Sequence, residues 1–137
     1  STRALSSAAS DVYKRQGEHK VNLIFIGGHF NRAKDGFIGT LAIEQIHNYR
    51  FDLSFIGTVG MNIHDGKVTT YDVEDGLTKK EVMDASKKCY LVAENEKFNL
   101  DGNYVFGHLS EFTGYIGEQE LGSPFKGKIM EYGLEII

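Results

Sequence analysis

Apolar residues in this chain come in short unbroken runs rather than in alternation: VNLIFI at 21–26, FDLSFIG at 51–57 and YLVA at 90–93. A strand with one face in water alternates apolar and polar side chains, whereas a strand covered on both faces does not. Runs of this kind, closed by Gly27-Gly28, Gly57 and Glu94 and separated by helical periodicity, predict an α/β layered fold with a largely parallel sheet flanked by helices. The expected elements begin with a buried strand over Val21–Gly28, a polar loop over HFNRAKD and a helix from Phe37 to His47. A strand in FDLSFIGTVG follows, then a turn at Asp65-Gly66, a second helix and a third strand over Tyr90–Ala93. YVFGHL and TGYIG read as two short strands, Ser123-Pro124 opens a helix over FKGKIMEYG stopped at Gly133, and LEII is a terminal strand.

With 137 residues, the chain is long enough for one domain with a real core and leaves little room for two. Fifteen basic and nineteen acidic side chains give a net charge of -4, which argues against a non-specific nucleic-acid surface. A small anionic ligand stays open, because it needs only one or two local cations and some backbone N–H groups. The lone cysteine, Cys89, excludes an intrachain disulfide and a CxxC metal site, and fits a reducing, cytoplasmic setting. The five histidines, His29, His47, His64, His108 and His19, form no HExxH or tight cluster, so neither a metal nor a cofactor is expected. No apolar run approaches membrane-spanning length.

Residues 1–16, STRALSSAASDVYKRQ, are small, polar and non-periodic, and the chain changes character at Gly17. SSAASDVYKRQ resembles a translated sequencing adapter, so 1–16 is expected to be a non-native or disordered segment and 17–137 the domain. The reading frame is then expected to be cut on its 5′ side.

The stretch TTYDVEDGLTKKEV reverses charge, from Asp72, Glu74 and Asp75 to Lys79 and Lys80. Thr78 and Glu81 have capping-box spacing, and Asp75 is an alternative cap for the same helix. If the helix starts a turn earlier, Asp75 and Lys79 lie four apart on one face and pair directly. Alone, this stretch is a capped helix behind a solvated loop; an anionic ligand near Lys79 is the sharper alternative.

Three segments in order are GGHFNRAKDGFIGTLA, FDLSFIGTVGMNIHDGKVTT and DVEDGLTKKEVMDASKKCYLVAENEKF. Together they resemble the C-terminal effector-sensing domain of DeoR-family bacterial transcriptional repressors, over most of Val21–Phe98, and the GLEII ending is similar to the family's last strand. The resemblance implies a fold like that of sugar-phosphate isomerases (ribose-5-phosphate isomerase, glucosamine-6-phosphate deaminase), here incomplete at the N-terminus. It also implies a phosphorylated sugar or related metabolite as ligand, and homo-oligomers. Operator DNA is expected to be bound only by a separate N-terminal winged helix-turn-helix that is missing from this sequence, as is the family's strand and glycine-threonine phosphate loop.

Carried over by position, Gly27 and Gly28 match the family's GG, Arg32 its following basic residue and Gly39 the glycine opening the next helix. Gly57 and Gly60 match its GxxG, which encloses Thr58, while Gly66, Thr69 and Thr70 match the glycine and threonine pair that follow. Asp75 stands where Glu is usual, Lys79 matches the lysine four residues on, Glu94 stands where Asp is usual, and Lys97-Phe98 match the loop after the strand. The resemblance thus implies ligand binding by Gly57, Thr58, Gly60, Thr69, Thr70, Asp75, Lys79 and Lys97, with Gly28, Arg32 and Glu94 as further candidates. Both carboxylate exchanges keep charge and shift it by about one methylene, so ligand identity stays open. Two rivals stand beside this reading. A phosphosugar isomerase-like enzyme would use Asp75 as base with a lysine, and a protein-interaction module would carry an exposed apolar stripe.

Overall fold

A computed structural model describes residues 4–5, 24–32 and 36–137. Ten strands are described: β1 (Ala4–Leu5), β2 (His29–Asn31), β3 (Gly36–Ile38), β4 (Phe51–Gly57), β5 (Gly60–Met61), β6 (Lys67–Thr70), β7 (Ser86–Val92), β8 (Tyr104–His108), β9 (Gly114–Ile116) and β10 (Glu135–Ile136). The helices are α1 (Thr40–His47), α2 (Val73–Asp84) and α3 (Phe125–Glu131). Among the described residues no helix is long and apolar enough to cross a membrane.

Two of the unalternating runs, FDLSFIG and the YLV of YLVA, fall in β4 and β7 of a parallel sheet, in the order β1-β4-β7-β9-β10, with every described pairing parallel. Its register puts Ile56 beside Leu91 and Leu91 beside Tyr115, one buried row across three neighbouring strands. Ile46 of α1, Val82 of α2 and Ile129 of α3 belong to the same apolar core. One residue on, the row Gly57, Val92, Ile116 ends the three strands at one level.

The fold is mixed rather than only parallel. β5, β6 and β8 form a separate three-stranded antiparallel sheet. The Asp65-Gly66 turn closes its hairpin: Gly66 sits at φ 77, and its N–H donates to the Asn62 carbonyl at 2.8 Å. β2 and β3 form a second hairpin where a polar loop was expected, with the Phe30 and Phe37 rings 5.3 Å apart. The expected strand over Val21–Gly28 lies partly outside the described residues, and residues 24–28 of it are irregular. Gln45 of α1 holds this segment instead: its amide oxygen accepts the Gly27 N–H at 3.1 Å and its amide nitrogen donates to the Gly27 carbonyl at 2.9 Å. Within 1–16 only Ala4–Leu5 is described, a short strand paired with Leu53 and Ser54.

Helix starts also differ from expectation. The first begins at Thr40 rather than Phe37, because Phe37 and Ile38 are in β3 and Gly39, at φ 91, turns the chain into α1. The second is capped by Asp72, not by Thr78 or Asp75: the Asp72 carboxylate accepts the N–H groups of Glu74 at 2.8 Å and Asp75 at 3.4 Å. Thr78 then lies inside α2, its hydroxyl donating to the Glu74 carbonyl at 2.8 Å and accepting the Gly39 N–H at 3.2 Å. That bond joins the start of α1 to the middle of α2.

Gly60 of β5 packs closely against the loop that precedes β8. A Cβ there would stand 1.9 Å from the Leu100 carbonyl oxygen, a backbone atom with no rotamer to give way. Gly60→Ala is expected to cost about 3 kcal/mol or more of stability, read as a drop in urea midpoint.

Candidate ligand site

The row Gly57, Val92, Ile116 opens into a cleft of about 480 Å³, lined by Gly57, Thr58, Val92, Ala93, Glu94, Lys97, Ile116, Gly117 and Glu118. It lies where parallel α/β sheets gather ligands, outside the carboxyl ends of the strands. Its size is in the range of small-molecule sites. Gly57 lines it without a side chain, and a Cβ built there meets nothing within 4 Å, so bare backbone faces the cleft at this point.

One wall is the turn after β7. Asn95–Lys97 form a 3-10 turn, closed by Lys97 N–H to the Glu94 carbonyl at 3.0 Å. Phe98 anchors it, buried and stacked 4.9 Å from the Phe125 ring and 5.4 Å from Tyr115. The Lys97 ammonium stands 3.4 Å from Glu96 and 3.9 Å from Glu94. These flanking carboxylates are exposed, so they hold the lysine loosely and leave it able to exchange partners.

The opposite wall, Ile116 to Glu118, is fastened to the first. The Ala93 N–H donates to the Ile116 carbonyl at 3.2 Å, and the Asn95 amide donates to the Gln119 carbonyl at 3.2 Å. The Tyr115 hydroxyl, beneath the cleft, lies 2.8 Å from Asn95 Oδ1 and 3.0 Å from the Ala93 carbonyl, sharing its one proton between them. Burial, reinforced by the negative charge of Glu118, pushes the Tyr115 pKa up to about 12. Gly117 packs against this pair: a Cβ on it would come within 2.7 Å of Asn95 Oδ1.

The residues the sequence singled out fall into three groups. Gly57, Thr58, Glu94 and Lys97 come together in the cleft lining. Gly60, Thr69 and Thr70 lie behind it: the Thr58 hydroxyl approaches the carbonyls of Thr69 at 2.8 Å and Gly60 at 2.9 Å, and Thr69 Oγ1 accepts the Gly102 N–H at 2.7 Å. Asp75 and Lys79 form a separate cluster with Thr70. The buried Asp75 carboxylate accepts the Thr70 hydroxyl at 2.6 Å and pairs with Lys79 at 2.9 Å, and the Lys79 ammonium sits 5.3 Å from the Phe106 ring centre. That is the direct i,i+4 pair of the earlier helix start. Gly28 packs on Ala42 of α1, its virtual Cβ 3.0 Å from the Ala42 Cβ, and Arg32 is exposed beyond β2; neither lines the cleft.

Sequence reasoning missed the opposite wall, with Gly117 and Glu118, and the Tyr115 and Asn95 link to it. The signal was present: TGYIGEQE is an apolar strand ending in Gly and an acid, as FDLSFIG ends in Gly and YLVAE in an acid. Among the described residues no group of histidine, cysteine and carboxylate side chains is arranged to hold a metal ion.

Residues 8–119 match the sequence model of the DeoR C terminal sensor domain. The chain belongs to that family. It is similar to the HTH-type transcriptional repressor GlcR of Bacillus subtilis (strain 168), 23% identical over 117 residues, covering 85% of this chain and 45% of that protein. It is 30% identical over 94 residues to FruR of the same organism, an HTH-type transcriptional regulator, covering 69% of this chain and 37% of FruR. With a glycerol-3-phosphate regulon repressor of Haemophilus influenzae (strain ATCC 51907 / DSM 11121 / KW20 / Rd) it shares 29% over 108 residues, 76% of this chain and 41% of the repressor. The chain thus spans less than half the length of these relatives. Those relatives are transcriptional regulators, and the family model matched is that of a sensor domain.

Two measurements probe the geometry. Tyr115 is protonated in the folded chain up to about pH 12, whereas unfolded tyrosine ionises near pH 10. The unfolded state therefore binds fewer protons between those values, and stability falls as pH rises through the window. Tyr115→Phe should remove a part of that loss on the order of 2 kcal/mol, seen in urea midpoints at pH 9 and 11.5. Asp75→Ala strips Lys79 and Thr70 of a shared partner and should destabilise the chain by about 3 kcal/mol at pH 7.

Proposed function

We propose that this DeoR-type domain senses a phosphorylated sugar or a related phosphorylated metabolite in the cleft beyond β4, β7 and β9. It would serve as the effector-sensing part of a longer transcriptional repressor, with operator DNA bound elsewhere in that protein. The observation that carries the reading is the meeting of the bare Gly57 backbone, Thr58 and Lys97 at one strand-end level. Glycine lets backbone N–H groups approach a phosphate closely, and a lysine supplies charge-assisted hydrogen bonds. Glu94 can accept hydroxyl protons of the sugar.

In this reading the remaining family positions act at one remove. Thr69 and Gly60 hold Thr58 through their carbonyls. Asp75, Thr70 and Lys79 fix the junction of β6 and α2 behind that contact. A fold shared with the sugar-phosphate isomerases is part of the proposal, supported by the parallel order and the strand-end cleft. So is assembly into homo-oligomers, supported by exposed apolar side chains at Phe30, Phe37 and Leu41. The relatives' names point the same way for the ligand, since one is a repressor of a glycerol-3-phosphate regulon.

Calorimetric titration with a panel of phosphosugars and glycerol 3-phosphate is expected to find a saturable ligand. Lys97→Ala should weaken it at least tenfold, by about 1.5–3 kcal/mol, without changing the thermal midpoint of the free domain by more than a degree or two. Gly57→Ala should likewise leave the free domain stable, since its methyl meets open space, and weaken the ligand by occupying part of the cleft. Absence of saturable binding across the panel would sink the proposal.

A further inference from the structure

The geometry points to a cleft that selects a ligand with a single phosphate and uncharged hydroxyl groups, and Glu118 is the residue that rejects a second phosphate. This rests on the phosphorylated-ligand reading of the same cleft and concerns its charge. Among the described lining residues Lys97 is the one cation, against the carboxylates of Glu94 and Glu118. Glu96, outside the lining, is a third carboxylate, 3.4 Å from the same ammonium. A phosphate that pairs with Lys97 therefore uses the positive charge available in the lining. A second phosphate on the same molecule would meet no further cation among the described lining residues and would lie near the carboxylates of Glu94 and Glu118, and like charges brought together repel. Hydroxyl groups meet the opposite condition, because an ionised carboxylate only accepts hydrogen bonds and a sugar hydroxyl donates one.

One hydrogen bond links Glu118 to the turn that bears Lys97. Its Oε1 accepts the Asn95 N–H at 3.4 Å, and Asn95 is itself held by Tyr115 and by the Gln119 carbonyl. The carboxylate therefore belongs to the clamp that joins the two walls. A glutamine at this position keeps the accepting oxygen and loses only the charge, so the electrostatic role separates cleanly from the structural one.

The experiment is calorimetric titration of the 137-residue chain and its Glu118→Gln variant with matched hexose monophosphates and bisphosphates, and with glycerol 3-phosphate. The wild-type chain is expected to bind a monophosphate at least about tenfold more tightly than the bisphosphate of the same sugar, with the gap shrinking as salt is raised. In Glu118→Gln the gap should fall to about threefold, and in Glu118→Lys the preference should reverse. A bisphosphate bound as tightly as its monophosphate by the wild-type chain, or a gap unchanged in both variants, overturns the assignment. If a chain folded by circular dichroism binds no phosphorylated compound at all, the phosphosugar reading itself fails, and this assignment with it.

Discussion

In-register parallel pairing of β4, β7 and β9 is the constraint from which the rest of the molecule follows. Parallel neighbours keep equivalent side chains on the same face, so one buried row, Ile56, Leu91 and Tyr115, fixes the height of every residue above it. One position along, Gly57, Val92 and Ile116 end their strands together, and the loops that leave them face one another. A shift of one residue in any pair would turn the core row outward and break the cleft at the same time. Packing and ligand geometry are thus set by the same register.

Tyr115 carries this coupling in a single side chain. Its ring belongs to the core row and lies against Phe98, while its hydroxyl reaches Asn95 and the Ala93 carbonyl in the turn that bears Lys97. Turns after strands are ordinarily the looser parts of a fold. Here the turn is held from below by Tyr115, from the side by Gln119 and at its end by the buried Phe98. Each of these contacts reduces the ordering that a ligand would otherwise have to impose on Lys97, and preorganisation of that kind favours binding.

The parallel sheet was legible because FDLSFIG and YLVA are apolar runs of strand length separated by helical periodicity, although β7 leaves Val92 exposed. The antiparallel β5-β6-β8 sheet was less so: KVTT and YVFGH are short, and their pairing is a long-range fact that no local pattern contains. The hairpin of β2 and β3 was hidden for a related reason. HFNRAKD is polar enough to read as a loop, and only the Phe30–Phe37 contact across the hairpin distinguishes it. At the site, Gly57, Thr58, Glu94 and Lys97 were found because two of the three strand ends carry family motifs. Glu118 and Asn95 were not, since a residue's place in a cleft depends on which strands are neighbours, and β9 was not placed beside β7 in advance.

The charge reversal in YDVEDGLTKKE divides once the helix start is fixed. Asp72 caps α2 and Asp75 falls inside it, so Lys79 is no longer a cation stranded in the first turn against the helix field. It sits one turn above Asp75, neutralised at 2.9 Å and lying over Phe106. A carboxylate this buried needs a full set of partners, and Thr70 at the end of β6 is one of them. The pair therefore ties α2 to the antiparallel sheet, and that sheet in turn presents the Thr69 carbonyl to Thr58 in the cleft. Acid and base in this stretch reach the cleft through two hydrogen bonds and a strand, which is how a helix start distant from the cleft lining can still set the position of a residue within it.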